Sequence, residues 1–529
     1  DGILKVMRSY QYYAAAAISD KVSKTDWTQP NLLGGYIWHT TGSGKTMTSF
    51  KSAQLIADSK DADKVVFLVD RIELGTQSLN AYQNFADARV TVQGTEDTGV
   101  LTSKLKSDDV ANTLIVTSIQ KMSRIKEDGG LKAYDIQKMN SKRIVFIVDE
   151  CHRSTFGDML MTIKDTFPHA IFFGFTGTPI LDENEKDMNT TATVFGNELH
   201  RYSIADGIRD KNVLGFDPYK VLTYADKDLR QAIALEKAKA SSVEDAIDNP
   251  EKSKIYYKFM RSVDMAGSFS NEGKYIKGIE DYIPVSQYNC EKHRKAVVQD
   301  ILENWKTLSH NSKFHAILAT SSIMEAIQYY RLFKQEKSSL KITALFDASD
   351  AGKNEKNTIF KEDGMAEIIT DYNKMYERDF SIKTHDKFKK DIALRLAHKD
   401  SYLTIDRTPE KQINLLIVVN QMLTGFDSKW LNTLYLDKCI EYENIIQAFS
   451  RTNRLFGPDK PFGTIRYYRY PHTMERNIEE AVKTYSGNKP FGLFVERLPH
   501  NLEKINYFYK EICDLFENAK IENFEKLPN

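Results

Sequence analysis

The sequence predicts an α/β protein made of two parallel-sheet domains in tandem, with a mixed insertion between them and a helical segment at the C-terminal end. Two series of short, wholly apolar runs carry that reading. The first comprises Val65–Val69 (VVFLV), Leu114–Val116 (LIV), Ile144–Val148 (IVFIV) and Ile171–Phe175 (IFFGF). The second comes much later, at Ala316–Ala319, Ile342–Phe346, Leu415–Val419 and Thr433–Leu436. A strand that is apolar on both faces has to be covered on both, and the helix-prone stretches between the runs supply the crossovers that do so. The length agrees: 529 residues exceed what one core organises, so two or three domains are expected.

The expected divisions are residues 1–222 for the first domain, 223–310 for a charged connecting insert, 311–475 for the second domain and 476–529 for the helical end. Tyr224–Tyr288 is richer in charge and poorer in apolar runs than its flanks. Within it Leu229–Ala240 is helix-prone and Ala266–Tyr275 (AGSFSNEGKY) reads as loop. In His293–Leu308, Val297, Val298, Ile301, Leu302 and Trp305 share one helical face, which should pack on a core. From about Asn477 the patterning is mostly helical, as in NLEKINYFYKEICDLFENA. The chain opens at Asp1 and enters a helix at once, so further sequence is expected on its N-terminal side.

Composition narrows the function. With 41% hydrophobic and 28% charged residues the chain is an ordinary folded protein, and 73 basic against 73 acidic residues exclude a uniformly basic surface while leaving room for a locally basic groove. Cys151, Cys290, Cys439 and Cys513 lie far apart with no CxxC spacing, which fits a reducing cytoplasm and argues against a zinc site. No apolar run is long enough to span a bilayer and no secretory signal is present, so a cytoplasmic protein with no membrane partner is expected.

The chemistry begins at Tyr36–Thr46, YIWHTTGSGKT. A weak strand (GGYIW) runs into a glycine-rich turn and then a helix, the setting in which backbone N–H groups and the helix dipole hold phosphates. In this P-loop, Thr41, Gly42, Ser43 and Gly44 would cradle a nucleotide, Lys45 would reach the β/γ-phosphates and the Thr46 hydroxyl would ligate magnesium. His39 stands where the usual pattern has its first glycine; that position only begins the turn, whereas Gly42 and Gly44 sit where backbone must approach phosphate. Downstream, Asp149 and Glu150 emerge from the end of the apolar strand Ile144–Val148, on what should be a strand neighbouring the P-loop. Asp149 can hold magnesium and Glu150 can orient or deprotonate the attacking water. Cys151 and His152 alternate in direction and give no metal site. No guanine-reading NKxD and no GxGxxG is present, so the site is one for a nucleoside triphosphate and hydrolysis.

Asn444–Gly457 (NIIQAFSRTNRLFG) places Gln447, Arg451 and Arg454 at helical spacing on nearly one face. Arginines delivered from a second domain are what stabilises charge on a γ-phosphate in the transition state, although alone such a stripe is an ordinary solvated face. Gly425 and Asp427, in NQMLTGFDSKW, lie on a loop after an apolar strand, where α/β sheets bind ligands.

Taken in order, RSYQ (Arg8–Gln11), TTGSGKT, LVDRIEL, VTSIQKM, DECH, FTGTP, HAILATS, TGFD and QAFSRTNR resemble the motifs of superfamily 2 helicases and translocases. The text around them, in GGYIWHTTGSGKTMTSFK, FLVDRIELGTQ, VDECHRSTFGDM, FGFTGTPI and HRYSIADGIRDKNVLGF, is similar to the motor (R) subunit of type I restriction–modification enzymes. That resemblance covers most of the chain and is weakest after about residue 475. It implies two tandem RecA-like domains that use ATP and Mg2+ and pump double-stranded DNA past a stationary complex with methylation and specificity subunits. Residue by residue it implies that Gln11, with Arg8 near it, reads the adenine edge and that Gly425 and Asp427 touch the nucleotide side of the cleft. It makes Arg451 and Arg454 the fingers and Lys45, Asp149 and Glu150 the opposite wall. His152, Thr176, Thr178 and Gln447 would couple hydrolysis to domain movement, and Arg71, Thr117 and Ser118 would contact the DNA backbone. The family's nuclease lies N-terminal to the motor. The nearest internal string here, DNPEKSK (Asp248–Lys254), reads as a surface helix end, so this chain alone is not expected to cut DNA. Two other readings stay open at this level: a helicase that unwinds DNA or RNA, and a nucleotide-dependent switch without turnover.

Overall fold

In the computed structural model of the chain the described residues are 6–69, 79, 82–86, 91–126, 133–152, 156–181, 190–270, 272–336, 339–346, 355–423 and 426–487, with the single positions 494, 505, 509, 512, 513 and 516 beyond them. The first sheet has seven strands: β1 (Leu33–His39), β2 (Lys64–Val69), β3 (Val92–Gly94), β4 (Leu114–Ser118), β5 (Ile144–Val148), β6 (Ile171–Thr176) and β7 (Glu198–Tyr202). All its pairings are parallel, in the order β3-β4-β2-β5-β6-β1-β7. Period-two alternation explains why these strands read as unbroken apolar runs. Val65 and Phe67 of β2 enter one core with Ala14 and Ile18 of the helix Ser9–Ser23 and Phe50 and Ile56 of the helix Lys45–Ser59, while Val66 and Leu68 enter the core on the other face. Each of the Val, Leu, Ile and Phe side chains among these, fully buried, contributes roughly 1.5–3 kcal/mol.

Past β7 the chain crosses to the second domain as β8 (Phe216–Lys220) and passes through the insert, where β9 (Ser268–Phe269) and β10 (Tyr275–Ile276) form an antiparallel hairpin. It then lays down β11 (His315–Thr320), β12 (Ile342–Leu345), β13 (Leu415–Val418), β14 (Leu431–Asp437) and β15 (Gly463–Tyr467). The second sheet is again parallel, ordered β12-β13-β11-β14-β15-β8. Two parallel sheets covered by helices are the tandem RecA-like architecture.

Four expectations change. The first division, drawn after residue 222, comes too late: β8 pairs with β15, and Phe216 is fully buried against Phe449 with ring centroids 5.4 Å apart. A strand joins whichever sheet offers it a free edge and a matching apolar face, and that edge is β15. The helix Glu291–Leu308, assigned to the insert, packs Val297, Val298, Ile301 and Trp305 into the second domain's core. The stretch Ala266–Tyr275 contains most of a hairpin, turning through Gly273 at φ +77°. β5 is not next to the P-loop strand, because β6 pairs with both and separates them. The string Asp248–Lys254 is a helix junction as expected, with Asn249 capping Pro250–Arg261 by accepting from the N–H groups of Glu251 (3.0 Å) and Lys252 (3.2 Å). Of the helical end, Pro471–Tyr485 is a described helix, and NLEKINYFYKEICDLFENA lies almost wholly outside the described residues.

The helix Pro471–Tyr485 bridges the insert and the first domain. Its N-cap Tyr470 supplies no side-chain acceptor, and Glu280 of the insert takes over, accepting from the N–H groups of His472 (3.0 Å) and Thr473 (2.7 Å). At its other end Tyr485 donates to the carbonyl of Pro179 in the first domain (3.3 Å) and meets Trp38 edge-on, with centroids 6.3 Å apart. No described helix is long and apolar enough to cross a membrane.

Candidate active site

The P-loop follows β1 at the C-terminal edge of the first sheet and opens the helix Lys45–Ser59. Gly42 and Gly44 take φ of +91° and +83°, the left-handed region that glycine enters without strain. A Cβ at Gly42 would lie 2.6 Å from Arg454 Nη1 and 2.8 Å from Val213 Cγ1, and one at Gly44 would lie 2.7 Å from Gln11 Nε2. Both positions therefore need glycine for conformation and for close approach. The loop is gripped from the first helix: the Tyr10 hydroxyl donates to the Ser43 carbonyl (2.5 Å) and the Gln11 amide to the carbonyls of Ser43 and Gly44 (3.2 Å each). Gln11 Oε1 accepts from the backbone N–H of Arg8 (2.9 Å), so the expected adenine reader is committed to the loop backbone, with Arg8 exposed beside it.

His39 points away from the loop. It is fully buried with Nε2 3.0 Å from His200 Nδ1, edge-on to Tyr10, which stacks on Tyr202 at 3.7 Å. Burial, then the neighbouring His200 and Lys45, push its pKa well below the ordinary histidine value and keep the ring neutral. A histidine at the first position is thus a packing residue beneath the cradle.

Asp149 and Glu150 follow β5. Asp149 Oδ1 accepts from the Glu150 N–H (3.0 Å), and Glu150 adopts φ +48°, a conformation that costs a non-glycine residue about 1–3 kcal/mol and persists only where its surroundings impose it. The surroundings are a cation and an imidazole: Lys45 Nζ is 3.4 Å from Glu150 Oε1, and His152 Nδ1 is 3.6 Å from Oε2. Cys151, buried between them, has its thiol pushed up by burial and by the Glu150 and Asp149 charges, so it stays protonated. From His152 a continuous path leads across the cleft. His152 Nδ1 is 2.7 Å from Thr176 Oγ1, which accepts from the Thr178 N–H (3.0 Å), and Thr178 Oγ1 accepts from Gln447 Nε2 (2.9 Å) in the second domain.

The helix carrying Gln447 runs only from Glu443 to Phe449, so Arg451 and Arg454 follow it instead of sharing its face; the Ser450 N–H closes the last turn on Ile446. Arg451, 6% exposed, donates to the carbonyls of Gln447 (3.0 Å) and Phe426 (2.6 Å). Arg454 donates from Nε to Asp427 Oδ1 (2.5 Å) and projects its guanidinium over Gly42. The geometry thus brings Thr41 to Thr46, Asp149, Glu150, His152, Thr176, Thr178, Gln447, Asp427 and Arg454 to one cleft.

Gly425 and Arg71 lie outside the described residues. Thr117 and Ser118 are corrected: they are 3% and 4% exposed, Thr117 Oγ1 accepts from Thr95 Oγ1 (2.9 Å) and Ser118 Oγ from the Lys121 N–H (3.3 Å), so both hydroxyls serve the fold. Sequence reasoning passed over Tyr10, next to Gln11, and the strap Val213–Leu214, which presses on Gly42 and donates from Leu214 N to the Asn453 carbonyl (2.8 Å). Both sit inside phrases already quoted, Tyr10 in RSYQ and the strap in HRYSIADGIRDKNVLGF.

Fold and cleft are those of the helicase class, with the P-loop motif on one sheet and Arg454 reaching it from the other. Residues 10–254 match the SWI2/SNF2 ATPase family and residues 312–470 match type I restriction enzyme subunit R domain 3. Over 98% of its length the chain is 35% identical to the type I restriction enzyme SauMSSORF170P endonuclease subunit of Staphylococcus aureus (strain MSSA476), of which it spans 49%. The chain belongs to the family of type I restriction enzyme R subunits, and it spans about half the length of the curated relatives it matches. Two solved structures share the fold. A fragment assigned to the HsdR subunit of a type I restriction enzyme from Vibrio vulnificus YJ016 is 16% identical with a TM-score of 0.50, covering 92% of this chain and 67% of that one. The ATP-dependent type ISP restriction–modification enzyme LlaBIII bound to DNA is 14% identical with a TM-score of 0.50, covering 91% of this chain and 30% of that one.

Proposed function

We propose that this chain is the ATP-driven motor of a type I restriction enzyme R subunit and that it moves double-stranded DNA past a complex with methylation and specificity subunits. The observation that carries the proposal is Arg454 of the second domain lying over Gly42 of the P-loop in the first. The residues fit ATP and Mg2+: the cradle at Gly42 and Gly44 is one that a Cβ would fill, and Thr46 and Asp149 offer hard oxygen ligands at its edge. When bound, ATP with Mg2+ supplies a γ-phosphoryl group for transfer to water. Lys45 neutralises phosphate charge, and Glu150, held between Lys45 and His152, orients or deprotonates the water. Arg454, with Arg451 behind it, stabilises charge that develops in the transition state. The path His152–Thr176–Thr178–Gln447 links the hydrolytic carboxylate to the other domain, so closing and reopening the cleft moves the two sheets relative to each other.

The duplex-DNA reading is supported by the relatives and by the text between motifs, and cleavage belongs to the whole protein. The test is ATP hydrolysis by the full-length subunit, with and without its methylation and specificity subunits, comparing no DNA, linear duplex, single-stranded DNA and duplex RNA at matched salt. Stimulation by duplex that requires the partners is expected. Equal or greater stimulation by single strands or RNA without partners would replace the motor by an unwinding helicase.

A further inference from the structure

Lys460 is 1% exposed, yet its described hydrogen bonds include no carboxylate. Its ammonium donates to two backbone carbonyls, Leu431 at 2.7 Å and Lys429 at 3.1 Å, at the end of the loop that carries Asp427. Its own segment is the one that leaves Arg454: the Lys460 N–H closes a turn on the Gly457 carbonyl (3.0 Å), and Phe456 packs edge-on to Trp430, with centroids 4.7 Å apart. The two segments so joined therefore carry the two ends of the Arg454–Asp427 pair.

We propose that Lys460 is a positioning residue for Arg454: its buried ammonium fixes the segment leaving Arg454 to the loop that holds Asp427, and so sets where the guanidinium stands over the P-loop. This rests on the reading of Arg454 as the arginine that serves hydrolysis. A purely structural role is poorly served by this residue, because burying an amine without a carboxylate is costly and an apolar side chain of the same length would fill the space more cheaply. What the amine adds is direction, since two carbonyls, of Lys429 at the loop's end and of Leu431 at the start of β14, fix it as methylene contacts do not. Burial, and then the positive charge of Arg454, pull its pKa down to about 7 against the opposing charge of Asp427, as expected for an amine facing the pair it positions.

The test is a double-mutant cycle in the full-length protein with its partner subunits and duplex DNA. Lys460→Met should lower kcat for ATP by about 10-fold with KM within about twofold, the split expected when a transition-state group is displaced and ground-state binding is kept. Affinity for a non-hydrolysable ATP analogue should match the parent, and the melting temperature should fall by only a few degrees, as two buried carbonyls lose their donor. In an Arg454→Ala background Lys460→Met should cause no further loss, because it acts through Arg454. If Lys460→Met does not melt cooperatively, Lys460→Leu, which likewise has no donor, replaces it in the same cycle. An unchanged kcat, or losses that multiply in the double variant, overturns the proposal. A normal kcat in Arg454→Ala alone overturns the reading of Arg454, so the two failures are distinguishable.

Discussion

The two walls of the cleft are built differently. The first is local: Gly42, Gly44, Lys45 and Thr46 fall within five residues, and strand alignment in one sheet puts Asp149 and Thr176 opposite them, with Trp38 beside Thr176 and Val148 beside Gly174. The second is drawn from separate segments: Asp427 lies on one loop, Gln447 on a seven-residue helix, and Arg454 and Lys460 on the stretch that follows it, with Arg454 bonded to Asp427 and Lys460 bonded to the Leu431 carbonyl at the end of the Asp427 loop. A wall of main chain and one salt bridge is rigid. A wall reached through a few crossing contacts, Gln447 to Thr178, Leu214 to Asn453 and Tyr485 to Pro179, can part and rejoin without unfolding.

That contrast can be broken from either side. Arg454 apart, the largest effect belongs to the first wall: Glu150→Gln should lower ATP turnover by about 10²–10⁴ with the fold intact, and Lys45→Ala should do so with weakened nucleotide binding as well, both measured by steady-state hydrolysis and circular dichroism. Parental turnover in either variant would sink the site. Next comes the crossing contact. Gln447→Ala breaks the path to Thr178 and should cost about 10-fold in kcat with little change in ATP affinity, since a lost buried hydrogen bond is worth about 1–3 kcal/mol. A change confined to KM would show that Gln447 only shapes binding. Tyr10→Phe removes the hydroxyl from the Ser43 carbonyl and keeps the stack on Tyr202; it should lower stability by about 1 kcal/mol, read by denaturant titration, and raise KM for ATP more than it lowers kcat.

The smallest effect is graded with pH and compares the domains directly. Each has a histidine pair, His39–His200, in which His200 is half-buried, and His315–His398, in which both are buried, with ring nitrogens 3.0 Å and 2.9 Å apart. Burial first, then His398, holds His315 down to about 3, and burial with Lys429 holds His398 to about 4, so the folded protein keeps both neutral. The unfolded chain protonates them near 6.5, so their contribution is fully present above that pH. It falls as pH drops from about 6.5 toward 4, by about 1.4 kcal/mol per pH unit for each histidine. His315→Phe should flatten that slope in a urea titration between pH 7 and 5, and an unchanged slope would remove the pair from the account.

How much of this was legible in the sequence follows the same division. The strands, the P-loop and the two acids were legible because each is a local pattern: an apolar run, a glycine turn into a helix, carboxylates at a strand end. The arginines were legible as residues and misread in form, since the helix stops at Phe449 and Arg454 reaches the P-loop from an irregular stretch. β8 could not be assigned locally, because its sheet is set by β15, which lies some 240 residues later. Thr117 and Ser118 were expected at the DNA backbone through the family resemblance alone, but Thr95 and the Lys121 turn enclose them. Lys460 has no sequence signature at all; only burial beside two carbonyls distinguishes it from a surface lysine.

The measurement that tests the central claim most directly is Arg454→Ala in the full-length protein, with nucleotide binding and single-turnover hydrolysis measured on the same preparation in the presence of duplex DNA and partner subunits. If the two walls form one hydrolytic site, affinity for a non-hydrolysable ATP analogue stays within about threefold of the parent while hydrolysis falls by about 10³ or more. Hydrolysis within about threefold of the parent would mean that the first wall works alone, and the cleft would not be the site of a two-domain motor.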